Sequence, residues 1–376
     1  MKGNGFTKNE MTRYSRHFVL PAFGETGQRK LKNARVTIIG AGGLGAPVLQ
    51  YLAAAGLGTI RVIDFDTVNE SNLQRQVLFN TGDIGNEKSA VAAQRLSALN
   101  PHINVEHRNV RITAENAMDL LSGSDVIADC SDNFPTRYLV NDAAVLLDIP
   151  LVYGSIFRYE GQVAVFRGRT GPNYRDLFPQ PPNPDAVPDC ETGGVLGALP
   201  GVIGSMQSIE VIKLVTGIGA SLSGKLLVLD ALTMETQIFN IPNQNQGVKI
   251  KALIDYDDFC GINRKKKENW SMKEITVQEL KELIDNKTDF QLIDVREPHE
   301  YDLCNLDGEL IPMAEVPNHT DRISKDKQVV LHCRSGKRSG DMIIWLEKTY
   351  GFTNLYNLKG GILAWAREID PSMPTY

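Results

Sequence analysis

Three things are scarce in this sequence, and each scarcity removes a class of explanation. No apolar run approaches the roughly 20 residues that cross a bilayer, so no membrane-spanning helix is expected. Cysteine is scarce as well: there are five, an odd number, widely spaced. That is no disulfide framework, and most are read as buried thiols. Surplus positive charge is also missing, since 40 Lys and Arg face 45 Asp and Glu for a net charge of −5. A general nucleic-acid surface or a polybasic membrane patch is therefore not expected. The start, Met1-Lys2-Gly3-Asn4-Gly5, lacks the apolar core of a signal peptide, so the expected location is cytoplasmic. What remains, 376 residues with 42% hydrophobic and 23% charged, describes a globular chain of two or three domains.

Between residues 35 and about 156, short β-branched runs alternate with helical stretches. Arg35 to Ile39, Thr59 to Asp64 and Val126 to Ala128 read as strands. Leu44 to Ala55, Asn86 to Leu99 and Phe134 to Leu147 read as helices. Such alternation predicts an α/β fold, a Rossmann-like doubly wound sheet with helices on both faces. Asn9 to Leu20 and Glu25 to Lys32 read as two helices before it. Further on come a strand at Gln162 to Phe166, a proline-rich loop from Pro179 to Pro188, a helix from about Gly201 to Thr216, and strands at Lys225 to Leu229 and Thr236 to Phe239. Residues 241–270 are polar and end in a charge run, and read as a linker. A second α/β pattern fills 271–376, opening with a Thr276-x-x-Glu279 capping box. It continues with strands at Phe290 to Asp294 and Gln328 to His332 and helices at Arg338 to Tyr350 and Ile362 to Arg367.

Two loops carry chemistry. Gly40, Gly42 and Gly45 fit G-x-G-x-x-G between a strand and a helix, with Asp64 closing the next strand. That spacing suits a phosphorylated cofactor, whose charge faces the helix N-terminus while the carboxylate takes a ribose hydroxyl. Alone it points to NAD. Arg75 and Lys88, however, are cations that a hydride-transfer site does not need there. A triphosphate does, because charge develops on the leaving pyrophosphate. Asp132 is a natural Mg²⁺ ligand opposite them. The second loop, Cys333-Arg334-Ser335-Gly336-Lys337-Arg338, also joins a strand to a helix. Its backbone N–H groups and helix dipole favour a thiolate or an attached persulfide anion. A phosphatase needs five residues between cysteine and arginine, and here four separate Cys333 from Arg338.

Over about residues 10 to 260 the chain resembles the MoeB/ThiF family, relatives of ubiquitin-activating enzymes. The matching segments are Arg13-Tyr14-Ser15-Arg16, the glycine loop, Asp64-Phe65-Asp66-Thr67-Val68, Ser71-Asn72-Leu73-Gln74-Arg75-Gln76, Lys88, Asp129-Cys130-Ser131-Asp132-Asn133 and Cys190-Glu191-Thr192-Gly193-Gly194. The Leu292-Ile293-Asp294-Val295-Arg296-Glu297 segment, the Cys333 loop and Leu358-Lys359-Gly360-Gly361 resemble a rhodanese domain. The resemblance implies a ThiF-type adenylation domain over 1–240 and a rhodanese domain over 271–376. It implies ATP and Mg²⁺ held by Gly40, Gly42, Gly43, Gly45, Asp64, Asp66, Asn72, Arg75, Gln76, Lys88, Asp132 and Asn133. It implies a small ubiquitin-fold carrier ending in Gly-Gly as partner, adenylated at its terminal carboxylate. A sulfur donor, such as a cysteine desulfurase or thiosulfate, would load Cys333, which passes sulfur on to give a thiocarboxylate. Cys190 is the cysteine that can link covalently to the carrier. Arg16 is the arginine that reaches a partner subunit's nucleotide site, which implies a homodimer.

One family feature is missing. Many members hold structural zinc in two C-x-x-C pairs, but Asn173 and Asp176 stand where the first should be, and no cysteine lies between Ile241 and Ile254. Cys260 alone cannot complete a tetrahedral site, so no zinc is expected. Two other readings stay open: an NAD-dependent oxidoreductase, and a relative that activates a group on tRNA.

Overall fold

The computed structural model describes residues 5–169, 171–182, 194–242, 250–261 and 272–375. They form two compact units, divided between Lys265 and Lys266. Among them no helix is long and apolar enough to cross a membrane.

The first unit is built on an eight-stranded sheet. Its strands are β1 (Arg35–Ile39), β2 (Thr59–Ile63), β3 (Asn104–Arg108), β4 (Val126–Asp129), β5 (Pro150–Phe157), β6 (Glu160–Arg167), β7 (Lys225–Asp230) and β8 (Glu235–Asn240). They lie in the order β3-β2-β1-β4-β5-β6-β7-β8. The first five run parallel and the last three turn back antiparallel. The order reverses between β1 and β4, and ligands of open α/β sheets bind at such a reversal. Alternate residues feed two cores. Val36 and Ile38 of β1 join the helices Gly45–Ala55, Lys88–Leu99 and Leu199–Thr216 on one face. Ile39, Ile127 and Leu151 join the helix Phe134–Leu147 on the other. This is the doubly wound sheet that the alternation predicts, with β3 and β5 added to the expected strands and one expected helix divided.

The helix expected over Asn9 to Leu20 is two, Lys8–Arg13 and Ser15–Phe18. Tyr14 breaks it because its ring is drawn into the core, where its hydroxyl accepts a 2.8 Å hydrogen bond from Asn100 Nδ2. Strand β3, Asn-Val-Glu-His-Arg, was not foreseen. It is an edge strand, only partly covered, so its polar sequence carries no apolar alternation.

The second unit holds a five-stranded parallel sheet in the order β11-β10-β12-β13-β9. The strands are β9 (Glu274–Ile275), β10 (Phe290–Asp294), β11 (Glu309–Leu310), β12 (Gln328–His332) and β13 (Leu355–Leu358). Central β12 sends Val329 and Leu331 into one core and Val330 into the other. The capping box forms: Thr276 Oγ1 accepts from the Glu279 N–H at 3.2 Å, and Glu279 Oε2 accepts from the Thr276 N–H at 2.7 Å. The helices Lys337–Tyr350 and Gly361–Glu368 both start beside the end of β12.

Candidate active sites

In the first unit the loop after β1 lies at the sheet's reversal point. Gly45 matters by proximity, since a Cβ there would sit 2.0 Å from the Gly40 carbonyl oxygen. Only glycine lets the helix begin so close under the loop. Asp64, at the end of β2, is 8% exposed and grips the same loop. Its Oδ2 accepts from the Ala41 N–H at 2.7 Å and its Oδ1 from the Asp66 N–H at 2.8 Å. Burial pushes its carboxyl up, while these bonds and the Lys88 charge pull it back. Asp64 is thus the hinge pin between two strand ends, a task its spacing did not disclose.

One cavity then gathers Gly40, Gly42, Gly43, Asp64, Asp66, Arg75, Gln76, Lys88, Asp132 and Asn133. Lys88 opens its helix, is 5% exposed, and has Nζ 3.2 Å from Asp66 Oδ2. Arg75 Nη1 donates to the Ser71 carbonyl at 3.0 Å. Asp132 is exposed and lines the cavity, where its Oδ1 accepts from Asn133 Nδ2 at 3.4 Å. Asn133 caps the helix Phe134–Leu147 by accepting from the Thr136 N–H at 3.0 Å. Gln76 Oε1 is buried with no hydrogen-bond partner, the mark of a wall built to meet a polar guest.

Two expected residues stand behind the wall. Gly45 is under the loop, and Asn72 orders the turn through its carbonyl, which accepts from the Arg75 and Gln76 N–H groups at 3.1 and 2.9 Å. Arg16 is exposed on the short helix Ser15–Phe18 and does not line this cavity. Cys190 lies outside the described residues. Sequence reasoning missed Arg137 and Arg111, which also line the cavity. Arg137 sits 7% exposed over the Phe134 and Tyr153 rings and donates to the Ser131 carbonyl at 3.3 Å. Its signal was available: it falls on the first turn of a helix that starts at the reversal point.

In the second unit Cys333 ends β12 and is 1% exposed. Its Sγ accepts from the Gly336 N–H at 3.2 Å and lies 3.4 Å from Ser339 Oγ. The loop's carbonyls face the other way. Those of Cys333 and Arg334 accept from the N–H groups of Ile362 and Leu363 at 2.9 and 3.1 Å. Gly361, at φ +58°, makes this possible, because a Cβ there would lie 2.5 Å from the Cys333 oxygen. Two helix N-termini therefore sort the loop, one turning its carbonyls out and the other its amides in.

The cations beside the loop are not all aimed at it. Arg338 forms a two-pronged pair with Glu300, at 2.6 Å on each prong. The Asp294-Val295-Arg296-Glu297 segment is a scaffold: Arg296 is wholly buried and holds Asp294 Oδ2 at 2.6 Å and the Cys304 carbonyl at 2.7 Å. His332, also wholly buried, has Nε2 3.6 Å from Asp294 Oδ2. Burial brings its pKa down to about 4, so the ring is neutral near pH 7.

Asn173 and Asp176, which stand where zinc cysteines were expected, are engaged in local hydrogen bonds. Asn173 Nδ2 donates to Asp176 Oδ2 at 2.9 Å, and the Tyr174 N–H donates to Asn141 Oδ1 at 2.8 Å. Next to them Arg175 pairs with buried Asp142 at 2.8 Å through both Nε and Nη2. Tyr256 completes the knot, its hydroxyl donating to Asp142 Oδ2 at 2.8 Å. Among the described residues no three His, Cys, Asp or Glu side chains converge to hold a metal.

Both portions of the chain are similar to known proteins. Residues 14–250 match the ThiF family, and residues 276–368 match the rhodanese-like domain. The probable adenylyltransferase/sulfurtransferase MoeZ of Mycobacterium tuberculosis is 45% identical, across 99% of this chain and 97% of its own. The adenylyltransferase and sulfurtransferase MOCS3 of Drosophila sechellia is 39% identical, across 98% and 86%. The sulfur carrier protein adenylyltransferase of Thermus thermophilus is 50% identical, across 68% of this chain and 99% of its own. Escherichia coli MccB, solved with ATP, shares the fold at a TM-score of 0.57 and 23% identity, over 66% of this chain and 75% of its own. The chain belongs to the ThiF family and carries a rhodanese-like domain after its ThiF portion.

Proposed function

We infer that this chain is an ATP-using adenylyltransferase joined to a sulfurtransferase, and that its substrate is the C-terminal carboxylate of a ubiquitin-like sulfur carrier. The observation that carries the first half is the single cavity holding Arg75, Lys88 and Asp132 at the sheet's reversal point. Attack of the carrier carboxylate on the α-phosphorus of ATP expels pyrophosphate. Arg75 and Lys88 meet the charge that gathers on the leaving group, Asp64 takes a ribose hydroxyl, and the glycine loop lets phosphate approach the start of the helix Gly45–Ala55. Mg²⁺ fits as a guest of Asp132 and phosphate oxygens, since it needs only one or two carboxylates and supplies charge neutralisation when bound. Arg16, outside its own cavity, is assigned to a partner subunit's site in a homodimer.

The second half rests on Cys333 with amide and hydroxyl groups directed at its sulfur. A donor leaves sulfur on Cys333 as a persulfide. Its outer sulfur attacks the adenylated carbonyl, AMP departs, and a new carbon–sulfur bond forms. A thiol, proposed to be Cys190, then attacks the Cys333 sulfur of this acyl disulfide, which releases the thiocarboxylate and leaves that thiol and Cys333 joined as a disulfide for an external thiol to reduce. An NAD-dependent oxidoreductase finds no support in the relatives, which are named adenylyltransferases and sulfurtransferases.

Carrier-dependent exchange between ATP and labelled pyrophosphate tests this reading. Wild-type chain and Cys333→Ala should both exchange, and Asp132→Ala should not. Exchange that survives Asp132→Ala at the full rate would remove that residue from the site.

A further inference from the structure

Cys333, Ser339 and Asn357 form a buried row, with exposures of 1%, 0% and 3%. Ser339 Oγ lies 2.7 Å from Asn357 Oδ1 and 3.4 Å from Cys333 Sγ. A serine hydroxyl has one proton to give. An amide oxygen has none, so the short contact consumes the hydroxyl proton. The longer contact is then a hydrogen bond only if the thiol donates to the Ser339 oxygen. The row as found suits neutral Cys333: sulfur donates to Ser339, and Ser339 donates to Asn357.

A thiolate or persulfide anion reverses the demand, because it can only accept. Ser339 must then turn its proton to the sulfur. That would leave two oxygens facing each other at 2.7 Å with nothing between them. A half-turn of the amide removes the conflict by bringing Nδ2–H to donate to Ser339. There is room for it, since Asn357 lines a groove with Lys337, Gly340 and Asp341. The backbone does not need to move: Asn357 is held in β13 beside Leu331 of β12, and its N–H donates to the Lys273 carbonyl at 2.9 Å.

We propose that Asn357 is a positioning residue for sulfur transfer, whose amide turns over with the charge of Cys333 so that Ser339 can donate to the sulfur in its anionic states. This rests on the sulfurtransferase reading above. The charged and titratable groups around the loop are His332 on the same strand, Asp294 with Arg296 from β10, and Glu300 with Arg338. Among the described residues, Glu274 on β9 and Lys337 and Asp341 on the following helix line the groove with Asn357, and Arg334 and Lys359 stand on the adjoining loops. None is altered in the variants below.

The test is the pH profile of Cys333 alkylation by iodoacetamide in the full chain, read on the Cys333 peptide by mass spectrometry. Asn357→Ala removes the amide that donates to Ser339 when the sulfur is charged. The midpoint should rise by about half a pH unit or more, as lost hydrogen bonding to the charged form dictates. Asn357→Asp accepts only and adds negative charge, so the midpoint should rise further, by about one pH unit or more. In a Ser339→Ala background, Asn357→Ala should shift nothing. That dependence on Ser339 is the signature, since a merely structural loss does not need the hydroxyl. A fall or no shift in Asn357→Ala, or a shift that persists without Ser339, would each overturn the proposal. If Asn357→Asp does not fold, the Asn357→Ala pair with and without Ser339 decides alone. Thiosulfate loading of wild-type Cys333 is measured alongside. Its failure, with the Ser339-dependent shift intact, would count against the sulfurtransferase reading and leave the relay standing.

Discussion

The two units solve related problems with the same ingredients and opposite accessibility. Each ends a parallel strand in a glycine-bearing loop and starts a helix there. In the first unit the loop is pinned by a carboxylate, Asp64, and faces an open cavity with Asp132 exposed. In the second the loop is pinned by a second helix, and the reacting atom is 1% exposed. A nucleotide must enter and its products leave, so that loop needs a doorway and mobile charge around it. A persulfide stays bonded to the chain and is lost to water or to other thiols, so that loop needs shelter. The contrast lies in what closes each loop, not in the loops themselves.

The sharpest way to break this comparison is reciprocal ablation. Cys333→Ala should abolish sulfur loading from thiosulfate and leave pyrophosphate exchange intact. Arg75→Ala should do the reverse, lowering exchange by about 100-fold or more, because it removes charge stabilisation on the leaving group. Loss of both activities in either folded variant would refute the division of labour.

Next in size is the buried pair under the second loop. Arg296→Met strands Asp294 without its partner and should cost about 3–5 kcal/mol. Calorimetry should show the second unit's transition falling while the first unit's holds.

The pH dependence of the same region comes third. The His332 ring takes its proton at about 4 when folded, against an ordinary 6.5. Above pH 6.5 neither state is charged. As pH falls from 6.5 toward 4 only the unfolded chain gains the proton, so the second unit is destabilised, by about 3 kcal/mol at the acid end. Denaturant titrations across that window should show the slope, and His332→Gln should flatten it.

The smallest effect belongs to the knot at Asp142. Tyr256→Phe removes one bond to a buried carboxylate and should cost the first unit about 1–2 kcal/mol. Metal analysis of the purified chain is expected to find no stoichiometric zinc, and added chelator should leave its unfolding temperature unchanged.

Much of this molecule is legible in the sequence because its decisive features are local. A strand's alternation, a capping threonine and a glycine triplet all declare themselves within a few residues, and so do the chemical groups that line the cavity. What escaped depends on distant neighbours. Tyr14 breaks a helix because Asn100 waits for it, and β3 is a strand only because β2 lies beside it. Arg338, a cation of the Cys333 loop by sequence, is paired with Glu300, a residue 38 positions away. Asp64 was read as a ribose ligand from spacing, whereas its grip on Ala41 needed coordinates.

The outward-turned carbonyls of the Cys333 loop bear on something beyond sulfur transfer. Soft metal ions seek thiolates, and they hold tightly only where several ligands converge. Here the carbonyl oxygens of Cys333 and Arg334 are spent on Ile362 and Leu363, and the groups left beside the sulfur are the Gly336 N–H and the Ser339 hydroxyl. No cluster of metal-binding side chains lies close by among the described residues. A zinc or copper ion that reached Cys333 would find one ligand and a wall of like polarity. The arrangement that welcomes an anion is thereby a poor place for a metal.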